Sequence, residues 1–318
     1  MKKKVLCTAP FLRFPKVVEH FHNTFDGEIR EYLVHQDLVA SIGPYEGLIP
    51  NARIPVDYEV LTAANDLSAI YQPSIGYEHI DRDYCSKKNI LFDGLGLDLE
   101  FKETLWSTAE HTISIILALL KKTVRTVSDV KSLGAWDNRK YSIRDLRGLE
   151  VGIIGFGNIG SKVAHLCDAF GAKISAYDPY INTSNFPSYV MPRTLPDIMC
   201  LSDVITLHVP LNDETEGMIA QSELENMKKN ACLINVARGG IILESDLIHA
   251  LKMDAIGGYG ADVLDGESPF GVSDHELVEL AKARDNILIT PHLGGSSFPY
   301  MEAIFMHSIN KLNKMLED

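Results

Sequence analysis

Cysteine is scarce and scattered in this sequence: Cys7, Cys85, Cys167, Cys200 and Cys232, an odd number with no C-x-x-C pair. That excludes a disulfide framework or a cysteine zinc site and fits reduced thiols in a cytoplasmic protein. Long apolar runs are missing too. The longest, Ile115–Leu120, is too short to span a bilayer. The basic start MKKK mimics a signal-peptide n-region, but Pro10 and Arg13 break the apolar stretch behind it, so no leader is expected. Positive charge is in the minority: 30 Lys and Arg against 43 Asp and Glu give a net charge of −13. Nucleic acid and anionic membrane surfaces are therefore not expected as partners. No His/Cys/Asp/Glu set has metal-ligand spacing, so no metal is expected. Repeats and low-complexity segments are also absent. What remains is a chain of 318 residues, 46% hydrophobic, long enough for two ordinary globular domains.

The most informative stretch is 151–178, VGIIGFGNIGSKVAHLCDAFGAKISAYD. An apolar strand, Val151 to Ile154, leads into Gly155-Phe156-Gly157-Asn158-Ile159-Gly160. A helix from about Ser161 to Phe170 follows, then a strand from Lys173 to Tyr177 that ends at Asp178. A bare G-x-G-x-x-G is weak, but strand, turn, helix, strand and terminal acid together point to dinucleotide binding. Gly155 permits the tight turn, Gly157 lets a pyrophosphate approach the backbone, and Gly160 lets helix and strand pack closely. The helix N-terminus offers N–H groups to phosphate. A carboxylate at Asp178 accepts from the ribose hydroxyls and repels a 2′-phosphate, so the expected cofactor is NAD.

Residues 1–100 alternate strands (Val5–Thr8, Ile29–Val34, Leu67–Gln72, Asn89–Phe92) with helices (Lys16–Phe25, Asp57–Ala63, Ile80–Lys88), a small α/β domain with no phosphate loop. The helix Ser107–Leu120 is apolar almost all round and is expected to be buried by a domain interface or a second subunit. Beyond Asp178, four strands end in polar clusters: His208-Val209-Pro210, Val236-Ala237-Arg238, Asp262 to Glu267, and Pro291-His292 before Gly294-Gly295. In an open parallel sheet these ends share one edge, where ligands bind. His111, on the apolar helix, reads as structural.

The motifs IGYEHID (75–81), TAEHT (108–112), LRGLEVGIIGFGNIG (146–160), LHVPLNDET (207–215), INVARGG (234–240), ADVLDGES (261–268) and TPHLGGSS (290–297) resemble those of the D-isomer-specific 2-hydroxyacid dehydrogenases, phosphoglycerate dehydrogenase-like members among them. The resemblance covers nearly the whole chain. It implies a Rossmann-type doubly wound parallel sheet domain at 104–291, binding NAD. That domain is inserted into a smaller flavodoxin-like α/β substrate domain at 1–103 and 292–318, with hinge closure over substrate. It further implies hydride transfer between a small D-2-hydroxy acid and its 2-keto acid, of phosphoglycerate, hydroxypyruvate or glyoxylate type, in a homodimer. Arg238 matches the residue that holds the substrate carboxylate and polarises the keto oxygen. His292 matches the proton donor, and Glu267 the carboxylate that orients it. Ile75 and Gly76 match the loop that binds the substrate carboxylate. Asn158 and Ile159 match positions at the pyrophosphate, Asp178 and Pro179 at the ribose, and His208, Val209, Pro210 and Thr215 along the adenosine half. Val236, Ala237, Asp262, Gly294 and Gly295 match positions near the nicotinamide. An NAD(H)-sensing, corepressor-like binding protein with the same fold is the alternative.

Three departures stand out. The connection GLGLDLEFKETLWST (94–108) is long and acidic, and either reshapes specificity or packs as an insert. The proline that usually follows the catalytic Glu is replaced by Ser268, with Pro269 one later. In the stretch Pro50-Asn51-Ala52-Arg53 a single Arg stands where phosphoglycerate-type members carry a basic pair.

Overall fold

The computed structural model describes residues 1–267 and 271–317. The displaced proline, at Ser268-Pro269, lies outside the described residues. The chain divides into two compact units, Met1–Leu105 with Ser297–Asp318, and Trp106–Ser296.

The first unit holds five parallel strands, β1 (Lys4–Cys7), β2 (Asp26–Ile29), β3 (Gly47–Ile49), β4 (Ala69–Gln72) and β5 (Leu91–Gly94), in the order β2-β1-β3-β4-β5. Successive side chains of a strand point to opposite faces, and here both faces are covered. Val5 and Cys7 of β1 pack with Phe11, Phe21 and the C-terminal helix Phe298–Glu317, through Phe305, Ile309 and Leu312. Leu6, between them, packs on the other face with Leu38, Val60 and Leu61. Strand β2 departs from the expected Ile29–Val34. The pairing segment is the polar Asp26-Gly27-Glu28-Ile29, because only glycine fits at 27 between the Val5 carbonyl and the Phe21 ring, while Tyr32 and Val34 are exposed.

The second unit holds seven parallel strands, β6 (Glu150–Ile154), β7 (Lys173–Tyr177), β8 (Val190–Pro192), β9 (Val204–Leu207), β10 (Cys232–Asn235), β11 (Gly258–Ala261) and β12 (Ile287–Ile289), in the order β12-β11-β10-β9-β6-β7-β8. Chain order reverses between β6 and β9. The C-terminal ends there form the crevice in which doubly wound sheets bind their ligands. The apolar helix Ser107–Leu120 is buried by its own sheet, contrary to the expected domain or subunit interface. Ile115 and Leu119 lie over Gly260 of β11, where a Cβ would stand 3.0 Å from Leu119 Cδ1, and Ile113 and Ile116 join Val151, Ile153 and Ile234. A glycine in the sheet makes the groove that takes the helix. The second crossing between units falls after Ser296, not at 291/292. Segment 292–296 stays with the second sheet because the Asp262 carboxylate accepts from the N–H groups of Leu293 (2.8 Å) and Gly294 (2.7 Å).

Candidate active site

The glycine loop is shaped by three different demands. Gly155 has φ +89°, and a Cβ there would lie 2.7 Å from the His208 carbonyl, so the β6 turn can nest against the end of β9 only with glycine. At Gly160 a Cβ would run into the Gly155 carbonyl oxygen, which draws the helix Asn158–Ala169 tight to the turn. Gly157 is different, since a Cβ there meets nothing within 4 Å. Its glycine answers to space outside the protein, at the N-terminus of a helix whose N–H groups suit a phosphate. This is the observation by which the loop fits NAD. Asp178, at the end of β7, accepts from Phe156 N–H (2.9 Å) and Tyr180 N–H (3.0 Å), so the same carboxylate ties the glycine loop to its neighbouring strand. Pro179 is exposed beside it, and Ile159 packs partly into the core.

Lys162 is a residue that sequence reasoning missed. It is buried, donates to Asn158 Oδ1 (2.8 Å) and lies 5.4 Å from the centroid of the Trp106 ring. Its spacing of four from Asn158 on a helix was the available signal. At the end of β9, His208 Nε2 meets Thr206 Oγ1 at 2.9 Å, while Nδ1 is buried without a hydrogen-bond partner among the described residues. Burial pushes this imidazole down to about 3, so it stays neutral. Thr215 uses its hydroxyl within the following turn, accepting from Asn212 N–H at 2.9 Å and donating to the Pro210 carbonyl.

At the end of β10, the buried Asn235 side chain shapes the next turn. It accepts from Ala237 N–H (3.0 Å) and donates to the Arg238 carbonyl (2.9 Å). The Arg238 guanidinium is half-buried and donates to the Ala237 carbonyl (2.8 Å). Gly239 lets this turn sit directly on the Leu264–Asp265 backbone, which brings it to the loop carrying Glu267. Glu267 Oε1 lies 2.6 Å from His292 Nδ1. Burial raises the Glu267 carboxyl, but the His292 hydrogen bond and charge, the Leu264 N–H and the Arg238 charge outweigh it and hold it below the usual carboxylate range. Arg238, Glu267 and His292, from three strand ends, thus belong to one electrostatic group.

His292 itself has φ +57°, unusual for a side chain with a Cβ. Its N–H donates to the carbonyls of Thr290 and Asp262, both at 3.0 Å. Asp262, only 2% exposed, holds the turn from below: Leu293 and Gly294 N–H, Thr290 Oγ1 (2.5 Å) and His111 Nε2 (3.1 Å) all donate to its carboxylate. Burial raises this group, and the donors from His111, Thr290, Leu293 and Gly294 bring it below its ordinary value. His111, expected to be merely structural, is therefore bonded to the carboxylate that shapes the His292 turn. Val236 is buried, Ala237 and Gly295 half-buried. Ile75 and Gly76 lie in the first unit, in the loop after β4, where Ser74 Oγ donates to the Gly76 carbonyl at 2.9 Å.

Among the described residues, no group of three or more His, Cys, Asp or Glu is placed to hold a metal ion, and no helix is long and apolar enough to cross a membrane.

Residues 113–294 match the family described as "D-isomer specific 2-hydroxyacid dehydrogenase, NAD binding domain", and residues 5–93 match its catalytic domain. Among curated proteins, D-3-phosphoglycerate dehydrogenase of Archaeoglobus fulgidus is 32% identical over 86% of this chain and 50% of its own length. That of Methanocaldococcus jannaschii is 29% identical over 98% of this chain and 57% of its own length. The chain thus spans about half the length of these curated relatives. Among solved structures, D-lactate dehydrogenase from Aquifex aeolicus, complexed with NAD and lactic acid, superposes with a TM-score of 0.85 at 28% identity, covering 99% of this chain and 95% of that one.

Proposed function

Because this chain belongs to the D-isomer-specific 2-hydroxyacid dehydrogenase family, we propose that it interconverts a small D-2-hydroxy acid and its 2-keto acid with NAD. One observation carries the reading: the Glu267–His292 pair at 2.6 Å, with Arg238 in the same electrostatic group, on the ligand-binding edge of the second sheet. NAD, when bound, supplies or accepts the hydride. Arg238 binds the acid's carboxylate and polarises the keto oxygen through its planar fork of donors. His292 turns Nδ1–H to Glu267, which selects the tautomer and leaves Nε2 as the nitrogen that exchanges a proton with the substrate oxygen. Glu267 holds that ring and stabilises the imidazolium. Asn158, Ile159, Gly157 and Gly160 are the proposed pyrophosphate end. Asp178 and Pro179 are assigned to the ribose, and His208, Val209, Pro210 and Thr215 to the adenosine side. Val236, Ala237, Asp262, Gly294 and Gly295 are assigned to the nicotinamide side. In the first unit, backbone N–H groups of the Ile75–Gly76 loop are the proposed carboxylate donors.

The substrates named for the relatives, phosphoglycerate and lactate, bracket the choice. With a single Arg53 in the Pro50–Arg53 stretch, the reading covers acids of phosphoglycerate, hydroxypyruvate and glyoxylate type alike. A panel of 2-keto acids with NADH, read by NADH absorbance, tests this. Turnover of none of them, with tight NADH binding, would remove the enzyme reading.

A homodimer is part of the proposal. On the helix Thr123–Leu133, Val124, Val127 and Val130 are exposed within about a third of the helix circumference, and Trp136 beyond it is 91% exposed. Such a row is what a subunit interface covers. Sedimentation equilibrium of Val127→Asp against the unaltered chain tests it. A cytoplasmic setting is proposed on the five free thiols, Cys200 alone being exposed.

A further inference from the structure

The long acidic connection after β5 supports the loop after β4, and it does so through backbone. Leu95 N–H donates to the Gln72 carbonyl at 2.9 Å, which continues the β4–β5 pairing one residue beyond the strands. At Gly96 a Cβ would run into the Ile75 carbonyl oxygen and stand 3.2 Å from the Tyr77 ring. Gly96 is thus seated against the backbone of the residues proposed to take the substrate carboxylate. Lys102, six residues further on, donates from Nζ to the Gly96 carbonyl at 3.2 Å. Asp98 caps the short helix Leu99–Glu103 by accepting from Phe101 N–H (3.1 Å), and its other oxygen accepts from His307 Nε2 and Lys311 Nζ, both at 2.8 Å. The His307 ring stacks on Phe101, centroids 3.9 Å apart and planes 9° from parallel. The connection is therefore clamped to the C-terminal helix at one end and touches the Ile75 carbonyl at the other. From the inner side, Gln72 Nε2 donates to Ser74 Oγ and Ser74 Oγ to the Gly76 carbonyl, so the loop is braced twice.

We propose that Gly96 and Lys102 are positioning residues: together they set where the Ile75–Gly76 backbone stands and so how the carboxylate end of the 2-keto acid is held. This rests on the reading of that loop as a carboxylate-binding element. Gly96→Ala is expected to raise the keto-acid KM about tenfold with kcat kept within about twofold, a misplaced binding group rather than lost chemistry. The NADH Kd stays unchanged. Amide hydrogen exchange at 74–77 becomes faster in the same variant, a readout independent of turnover. Lys102→Met raises KM in the same sense, and Lys102→Arg, which keeps a donor, restores it. Glu103→Gln, exposed on the same connection, leaves KM and exchange as they were. Unchanged KM and exchange in both Gly96→Ala and Lys102→Met, in a chain that reduces 2-keto acids, would overturn the assignment of the connection and leave the proposed reaction standing. An unaltered chain inert on every keto acid would overturn both.

Discussion

Glu267 Oε1 and His292 Nδ1 are 2.6 Å apart although the two residues come from different strand ends of the second sheet. Glu267→Gln keeps an acceptor oxygen and removes the charge. The expected result is a lower kcat/KM for keto-acid reduction with NADH affinity unchanged. His292→Ala is the larger loss, about 10²–10⁴-fold, as for removal of a general acid. Because Glu267 is held below the usual carboxylate range, the pair survives acidification until the pH is below about 4.3. Steady-state kinetics across pH check both statements.

Two glycines of one loop should fail in different ways. Gly160→Ala places a methyl on the Gly155 carbonyl and should cost about 1–3 kcal/mol of stability. Gly157→Ala meets no protein atom within 4 Å and should leave the melting temperature nearly unchanged while weakening NADH binding. Thermal melts and fluorescence titration with NADH separate them. Equal effects of the two substitutions on both readouts would contradict the division of roles.

His111→Ala removes one of the donors to a carboxylate that is 2% exposed. The expected cost is about 1–3 kcal/mol, with a lower kcat because Asp262 shapes the His292 turn. His111→Asn, which can still donate, should recover part of kcat. The Asp262 carboxyl sits below its ordinary value, so its stabilising contribution is complete above about pH 3.9 and is lost as the pH falls through the lowered native value. Urea unfolding at several pH values reads this.

His208 gives a separate pH signature. Its native value is about 3, against about 6.5 in an unfolded chain. Between those values the unfolded state takes up a proton that the native state does not. Stability is therefore complete above about pH 6.5 and declines as the pH drops towards 3. His208→Gln should flatten that slope in unfolding experiments without bound cofactor.

The glycine loop was legible because each of its demands is local: a positive φ at 155, a close approach at 160 and open space at 157. The Arg238, Glu267 and His292 strand ends were legible because a parallel sheet delivers successive ends to one edge. Strand β2 was not, since an edge strand of sequence Asp26-Gly27-Glu28-Ile29 carries no alternation and is selected by the fit of Gly27. Strand β3 is only three residues, Gly47–Ile49, too short to show a period. His111 and Asp262 are 151 positions apart, and nothing in either neighbourhood announces the pair. The helix Ser107–Leu120 was correctly read as buried and wrongly supplied with a foreign partner, because the groove that receives it is made by Gly260 far along the chain.

The C-terminal helix Phe298–Glu317 supplies Phe305, Ile309 and Leu312 to the face of the first sheet that bears Val5 and Cys7. During synthesis that face has Phe11, Val17 and Phe21 against it but lacks Phe305, Ile309 and Leu312 while the ribosome adds the whole of Trp106–Ser296. The inserted unit, continuous in sequence, can finish folding before its host. A released chain truncated after Ser296 should thus be half mature: a closed second unit, protease-resistant, beside a first unit that a chaperone or protease would still treat as unfinished.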